Sequence, residues 1–192
     1  MNEIFNSYVL AFDELNALTS TSYYSATETE QVIDDVLSFL IKAYQLGIQA
    51  ASKMLAYDLS LDVNSMRDAI YAVIDGKTFE DRVADHVTSG DLGRLQALVE
   101  SEYQRVFNIA ICDGGSQFQR DRGWGVSKTW TTMMDEKVRD THKYLEGMTV
   151  ALDEEFYTYD GDHAPAPHGF TKVENNANCR CVVTLKLDEW QD

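Results

Sequence analysis

Cysteine, proline and basic residues are all scarce in this chain. Of 192 residues, three are Cys and two are Pro, and 16 Lys and Arg stand against 32 Asp and Glu, for a formal net charge of −16. Cys112, Cys179 and Cys181 are too few and too irregularly spaced for a disulfide framework, so a reduced, cytosolic folding compartment is the simplest expectation. Residues 1–60 carry 8 acids and 2 bases, 61–125 carry 11 and 7, and 126–192 carry 13 and 7, so no third is basic and no basic block exists. Binding a phosphate backbone or an anionic membrane depends on Lys and Arg, which disfavours a dedicated nucleic-acid or membrane-surface binder. No apolar run reaches the roughly 20 residues of a membrane span. The opening MNEIFNSYVLAFDELNAL holds Glu3, Asp13 and Glu14 where a signal peptide needs basic residues, so a soluble, unsecreted protein is expected. Hydrophobic residues make up 44% and aromatics 11%. That is too apolar for a disordered chain, so the acids belong to a folded surface.

What is present is helical periodicity, then a change of character. Ile4, Tyr8, Ala11, Leu15 and Leu18, widened by Phe12, form one apolar stripe that ends in the turn TSTSYYSAT. Thr27 with Glu30 reads as a capping box opening a long helix through Val32, Val36, Leu37, Leu40, Ile41, Tyr44, Ile48 and Met54 to about Asp58. Further helices are expected over 64–74, over 78–87 ahead of Ser89 and Gly90, and from Asp91 to about Gln119, with CDGG (112–115) as a helix break. After Gly123, VSKTWTTMM, MTVAL and CVVTLKL read as strands. A short helix is expected over 135–145, stopped by Gly147, and a long loop over 156–178. The fold class is therefore α+β: a mostly helical N-terminal part followed by a small α+β domain with a short antiparallel sheet. The division is placed at residue 90, with 1–90 a helical docking region whose exposed apolar stripe meets partners.

The C-terminal third holds the chemistry-bearing residues. Asp135 is placed to cap the helix after it, with Arg139 and His142 on the same face. Cys179 and Cys181, two apart on an extended segment, project from one face while Arg180 points the other way. They are too close in the chain to bridge each other easily. With His142 they could supply three ligands of a zinc site, Asp135 or His168 being the fourth. Small Cys side chains also pack as hydrophobes on a half-buried strand, and a His on a helix face is ordinarily hydrogen-bonded. No cofactor is otherwise expected, and a structural zinc is the one left open.

The order Trp130, Thr132, Asp135, Arg139, His142, Leu145, Gly147, Phe156, Pro167, Glu174, Asn175, Asn178, Cys179, Arg180, Cys181 resembles the C-terminal domain of the phage Mu protein F-like, or head morphogenesis, family of minor head proteins. The resemblance runs over about 91–184. The family's R-T-E helix is represented by Glu100, Ser101 and Glu102 with Arg105 and Asn108, and its R-T-R by Lys137, Val138 and Arg139. Glu100 stands where the family has Arg, which puts in doubt any role resting on those basic side chains.

The resemblance implies a structural protein of a tailed phage or prophage, located in the virion and, during assembly, in the bacterial host cytoplasm. It would act at the portal vertex with portal and capsid proteins in head assembly and DNA packaging or delivery. Contact with DNA would be weak or indirect, contact with membrane absent, and a homo-oligomer is allowed. It implies no catalytic residue. The matching residues then form a stabilising polar cluster in which Asn175 and Asn178 hold the loop and the Cys pair anchors the last strand. Two alternatives stand beside it. One is a Cys/His-dependent enzyme or a relative of the ADP-ribosyltransferase toxins to which some members are fused, although the sequence ends at Asp192 and leaves no room for a toxin domain. The other is an acidic decoy that inhibits a basic nucleic-acid-binding protein. Tyr157 and Tyr159, with Tyr23, Tyr24 and Tyr144, are candidate interface residues.

Overall fold

The computed structural model describes residues 26–188. The stripe from Ile4 to Leu18, the turn after it, and Tyr23 and Tyr24 lie outside them. The elements in chain order are α1 (Ala26–Leu55), α2 (Val63–Ile70), α3 (Phe79–Ser89), α4 (Leu92–Arg122), β1 (Val126–Thr131), α5 (Asp140–Lys143), β2 (Thr149–Ala151), β3 (Phe156–Tyr157), β4 (His163–Ala164), α6 (Val173–Asn176) and β5 (Val182–Leu187). The architecture is α+β, as expected.

Local chemistry sets most helix ends. Asp62 caps α2 by accepting from the Asn64 and Ser65 amides, and Asp91 caps α4 through the Arg94 amide. Thr78 and Asp81 form a reciprocal capping box at the start of α3, and Gly90, in the left-handed region, closes its other end. Thr27 lies inside α1, not ahead of it, and the helix ends at Leu55, short of Asp58.

Helices α1 and α4 run in the same direction, with Gly47 beside Phe107 and Ala110, Ala51 beside Gly114, and the Tyr57 ring edge-on to Phe118 at 5.2 Å. Val32, Val36, Leu40, Tyr44 and Ile48 of the α1 stripe are buried in the core, while Ile41 is exposed, so most of the stripe is spent on packing within the chain. CDGG does not break α4. A Cβ on Gly114 would lie 2.6 Å from the Ala51 Cβ, and one on Gly47 would lie 2.5 Å from both the Ala110 Cβ and the Phe107 carbonyl oxygen. These glycines sit mid-helix because two backbones approach there.

The sheet has the order β2-β1-β5, antiparallel throughout. Strand β1 turns Val126, Lys128 and Trp130 into the core and leaves Ser127, Thr129 and Thr131 on the other face. Lys128 is thus a buried lysine, 1% exposed, with Nζ 5.5 Å from the Phe156 ring centroid, and burial pulls its pKa down. The outer edge of β5 is covered by helix side chains. Asn108 Oδ1 accepts from the Val183 amide at 2.9 Å and Met54 Sδ from the Leu185 amide at 3.2 Å. Asn108 Nδ2 donates in turn to the Gln104 carbonyl at 2.9 Å. Asn108→Leu, which leaves the Val183 N–H buried and unpaired, should lower the unfolding free energy by about 2 kcal/mol in urea titration. A change within error would mean that the edge does not depend on this bond.

The segment expected as a helix over 135–145 is helical only from Asp140 to Lys143. Met134 has a positive φ of 54° and Asp135 Oδ1 accepts from the Lys137 amide, which makes a turn where the helix would have begun. The expected loop at 156–178 contains the β3–β4 hairpin and α6.

Candidate functional site

The motif residues converge on the end of the sheet where β1 leaves the core. Trp130, fully buried, meets the His142 ring edge-on at 5.3 Å, Phe156 at 5.2 Å and Phe170, tilted, at 5.5 Å. Thr132 Oγ1 accepts from the Met134 amide at 3.2 Å, and Gly147, at φ 73°, returns its amide to the Trp130 carbonyl at 2.9 Å. Together these bonds fold the β1–β2 connection so that α5 lies over Trp130.

His142, Cys179 and Cys181 then meet. Nδ1 of His142 is 3.5 Å from each sulfur, and all three residues are buried. The bond from the Cys181 thiol holds Cys179 well below the ordinary thiol range against the opposing effect of burial, with further help from His142. The same bond, with burial, pushes Cys181 up. Cys112, raised to about 11 by burial, is an inert thiol.

Neither residue expected as a fourth ligand is free for the role. Asp135 caps no helix and shares no helical face with Arg139 and His142. Both of its carboxylate oxygens accept from one guanidinium nitrogen of Arg180, Nη2, at 2.7 and 2.8 Å, so the arginine that points away from the thiols finds its partner on the surface. His168 is buried with Nε2 2.9 Å from both Gln104 Oε1 and the Cys179 carbonyl, two acceptors that fix the proton there. Its Nδ1 consequently accepts from the Ser101 hydroxyl at 2.9 Å. That geometry ties the Pro-rich loop to α4.

Arg139 donates to the Glu174 and Ala177 carbonyls at the end of α6. The Glu174 side chain is exposed, so only its backbone serves the cluster. Asn175 Nδ2 donates to Asp162 at 2.9 Å, while Asn178 is exposed and contributes a left-handed backbone at φ 53°. Asn176, not singled out in the sequence, pairs with both backbone groups of Phe170. Asp162 was missed as well, although it is the centre of this region. Its carboxylate accepts from the His163, Thr171 and Lys172 amides, the Thr171 hydroxyl and Asn175.

On the helical side, Glu102 is buried between Arg82 at 2.9 Å and Arg105 at 2.8 Å. Burial raises its pKa, but the Arg105 and Arg82 charges outweigh it and the net shift is downward. Arg105 also reaches the Ala69 carbonyl at 2.8 Å. A groove of about 790 Å³ lies between this helical side and the Pro-rich loop, its walls including Arg82, Leu98, Arg105, Pro167 and Phe170. Tyr144, Tyr157 and Tyr159 are exposed, and the Tyr144 and Tyr159 rings meet edge-on at 6.1 Å. Among the described residues, no helix is long and apolar enough to cross a membrane.

The family model described as Phage Mu protein F like protein matches residues 63–184, from α2 to within β5. An NAD(+)–arginine ADP-ribosyltransferase, EFV, of Enterococcus faecalis is 25% identical over 156 residues, 80% of this chain and 32% of that protein. Minor head protein GP7 of Bacillus phage SPP1 is 29% identical over 63 residues, 33% of this chain and 20% of that protein. The chain therefore spans at most about a third of the length of these relatives. No solved structure matches it.

Proposed function

The chain belongs to the phage Mu protein F-like family, and on that premise we propose that it is a minor structural component of a tailed-phage or prophage head. It acts without catalysis at the portal vertex, through contacts with portal and capsid proteins, in head assembly and in DNA packaging or delivery. The family match over residues 63–184 carries this reading, and the likeness to a phage minor head protein points the same way. The polar groups of the motif region support it too. Arg139, Asn175 and Arg180 are each spent on a carbonyl or carboxylate of the chain itself, as in a scaffold that must hold its shape. The acidic surface suits protein contacts better than a direct grip on DNA.

The test is genetic and compositional. Particles of the phage that encodes the chain should contain it in low copy by mass spectrometry. Deleting its gene should lower infectious titre by at least about two orders of magnitude while capsid protein is still made. Normal titre and DNA-filled heads without the chain would refute the proposal.

The ADP-ribosyltransferase relative favours a second reading, in which the same module carries a toxin into the head. The aligned region is under a third of that protein, and among the described residues the buried His/Cys cluster opens on a cavity of only about 10 Å³. We therefore assign the shared part to head association. NAD(+) consumption by the purified chain with an arginine analogue as acceptor would move the assignment to the enzyme.

A further inference from the structure

His142, Cys179 and Cys181 form a nitrogen–sulfur donor set, and we infer that they hold a zinc ion that clamps the β1–β2 connection to the segment leading into β5. The three donor atoms lie within 4.8 Å of one another. For Zn–S near 2.3 Å and Zn–N near 2.0–2.1 Å, a tetrahedral angle places nitrogen and sulfur about 3.5 Å apart. Both N···S distances are 3.5 Å. All three side chains are at most 3% exposed and both cysteines are free. Buried imidazole with two thiols is the donor chemistry that zinc prefers over calcium or magnesium.

The imidazole is turned for the task by packing. Its Nε2 is buried without a hydrogen-bond partner, and the ring is wedged between Trp130 at 5.3 Å and Phe170 at 5.5 Å. That arrangement leaves Nδ1 facing the two sulfurs. The cavity beside the set is about 10 Å³, the size of one water, and is lined by the three residues with Met133, Asn178 and Arg180. A water there completes four-coordination, since Asp135 and His168 are engaged elsewhere. The ligands are 37 and 39 residues apart in the chain. One ion thus closes a long loop in the part of the molecule with the shortest strands.

The experiment uses the full chain purified under reducing conditions. Metal analysis should find one zinc per chain, and the stripped protein titrated with zinc alone should compete with a chromophoric chelator. Cobalt in place of zinc should give a sulfur-to-metal charge-transfer band in the near ultraviolet, about halved in Cys179→Ser or Cys181→Ser and retained but shifted in His142→Gln. Removing the metal should lower the melting temperature by about 10 °C. The inference is overturned if the folded wild-type chain takes up no zinc, or if the Cys179→Ser, Cys181→Ser double variant binds it with equal stoichiometry. The wild-type readings stand even where a variant fails to fold, and they are independent of whether the chain is found in phage heads.

Discussion

Asp162→Ala is expected to destabilise the protein by about 3–5 kcal/mol, lowering the melting temperature by about 10 °C. The carboxylate is 2% exposed and serves five donors. Oδ1 accepts from the His163 amide at 3.0 Å, the Thr171 amide at 3.2 Å and the Thr171 hydroxyl at 2.7 Å, while Oδ2 accepts from the Lys172 amide at 3.1 Å and Asn175 at 2.9 Å. Truncation strands three backbone N–H groups in a region with little apolar area to compensate. Asp162→Asn should be nearly as costly, because its amide turns two hydrogens toward groups that are themselves donors.

The pH dependence is a separate check. Burial pushes this carboxyl up, but the Asn175, Thr171 and Lys172 donors prevail and hold it at about 2, below its ordinary 3.8. A depressed acid binds fewer protons folded than unfolded, so its stabilisation is complete above about pH 4 and is lost as pH falls toward 2. The gap between wild type and Asp162→Ala in denaturant midpoint should therefore narrow from pH 7 to pH 3. An unchanged gap would mean that the charge is not what the donors hold.

Asp162 also marks where sequence reading stops. Turns and helix starts are legible because they are set by residues close together in the chain. The donors at Thr171, Lys172 and Asn175 come from 9 to 13 residues on, and no spacing rule announces them. Thr78 and Asp91 were legible as helix starts for the same local reason. Asp135 misled because an acid before a helical pattern reads as a cap, whereas here a left-handed Met134 redirects the chain and Arg180, 45 residues away, takes the carboxylate. The meeting of His142 with the Cys pair was readable from residue types, and the same-face rule for Cys179 and Cys181 held. Lys128 was readable in principle, since period-two alternation with Val126 and Trp130 puts it inward.

The glycines of CDGG are the clearest misreading, and they lead to the second large effect. Gly114→Ala should destabilise by about 2–4 kcal/mol, against the direction that helix propensity predicts. In a helix interior, Gly to Ala ordinarily gains about 0.5–1 kcal/mol, so a loss of any size has to come from contact. The new methyl would lie 2.6 Å from the Ala51 Cβ, which is fixed to α1 and cannot swing away, unlike the Leu59 Cδ1 at 3.0 Å. Ala51→Gly alone should cost about 1 kcal/mol. The pair Ala51→Gly with Gly114→Ala moves the methyl from one helix to the other and should recover most of the loss, with a coupling of at least 1 kcal/mol in a double-mutant cycle. If Gly114→Ala stabilises the protein, or if the two changes simply add, the close approach is wrong. The effect should also reach beyond the helices. The same α1–α4 contact carries the Tyr44–Asp113 hydrogen bond of 2.7 Å, and α4 holds the edge of β5 through Asn108, just beyond Cys181. A shifted α4 should therefore weaken zinc uptake by the His142, Cys179 and Cys181 set, and the compensating pair should restore it.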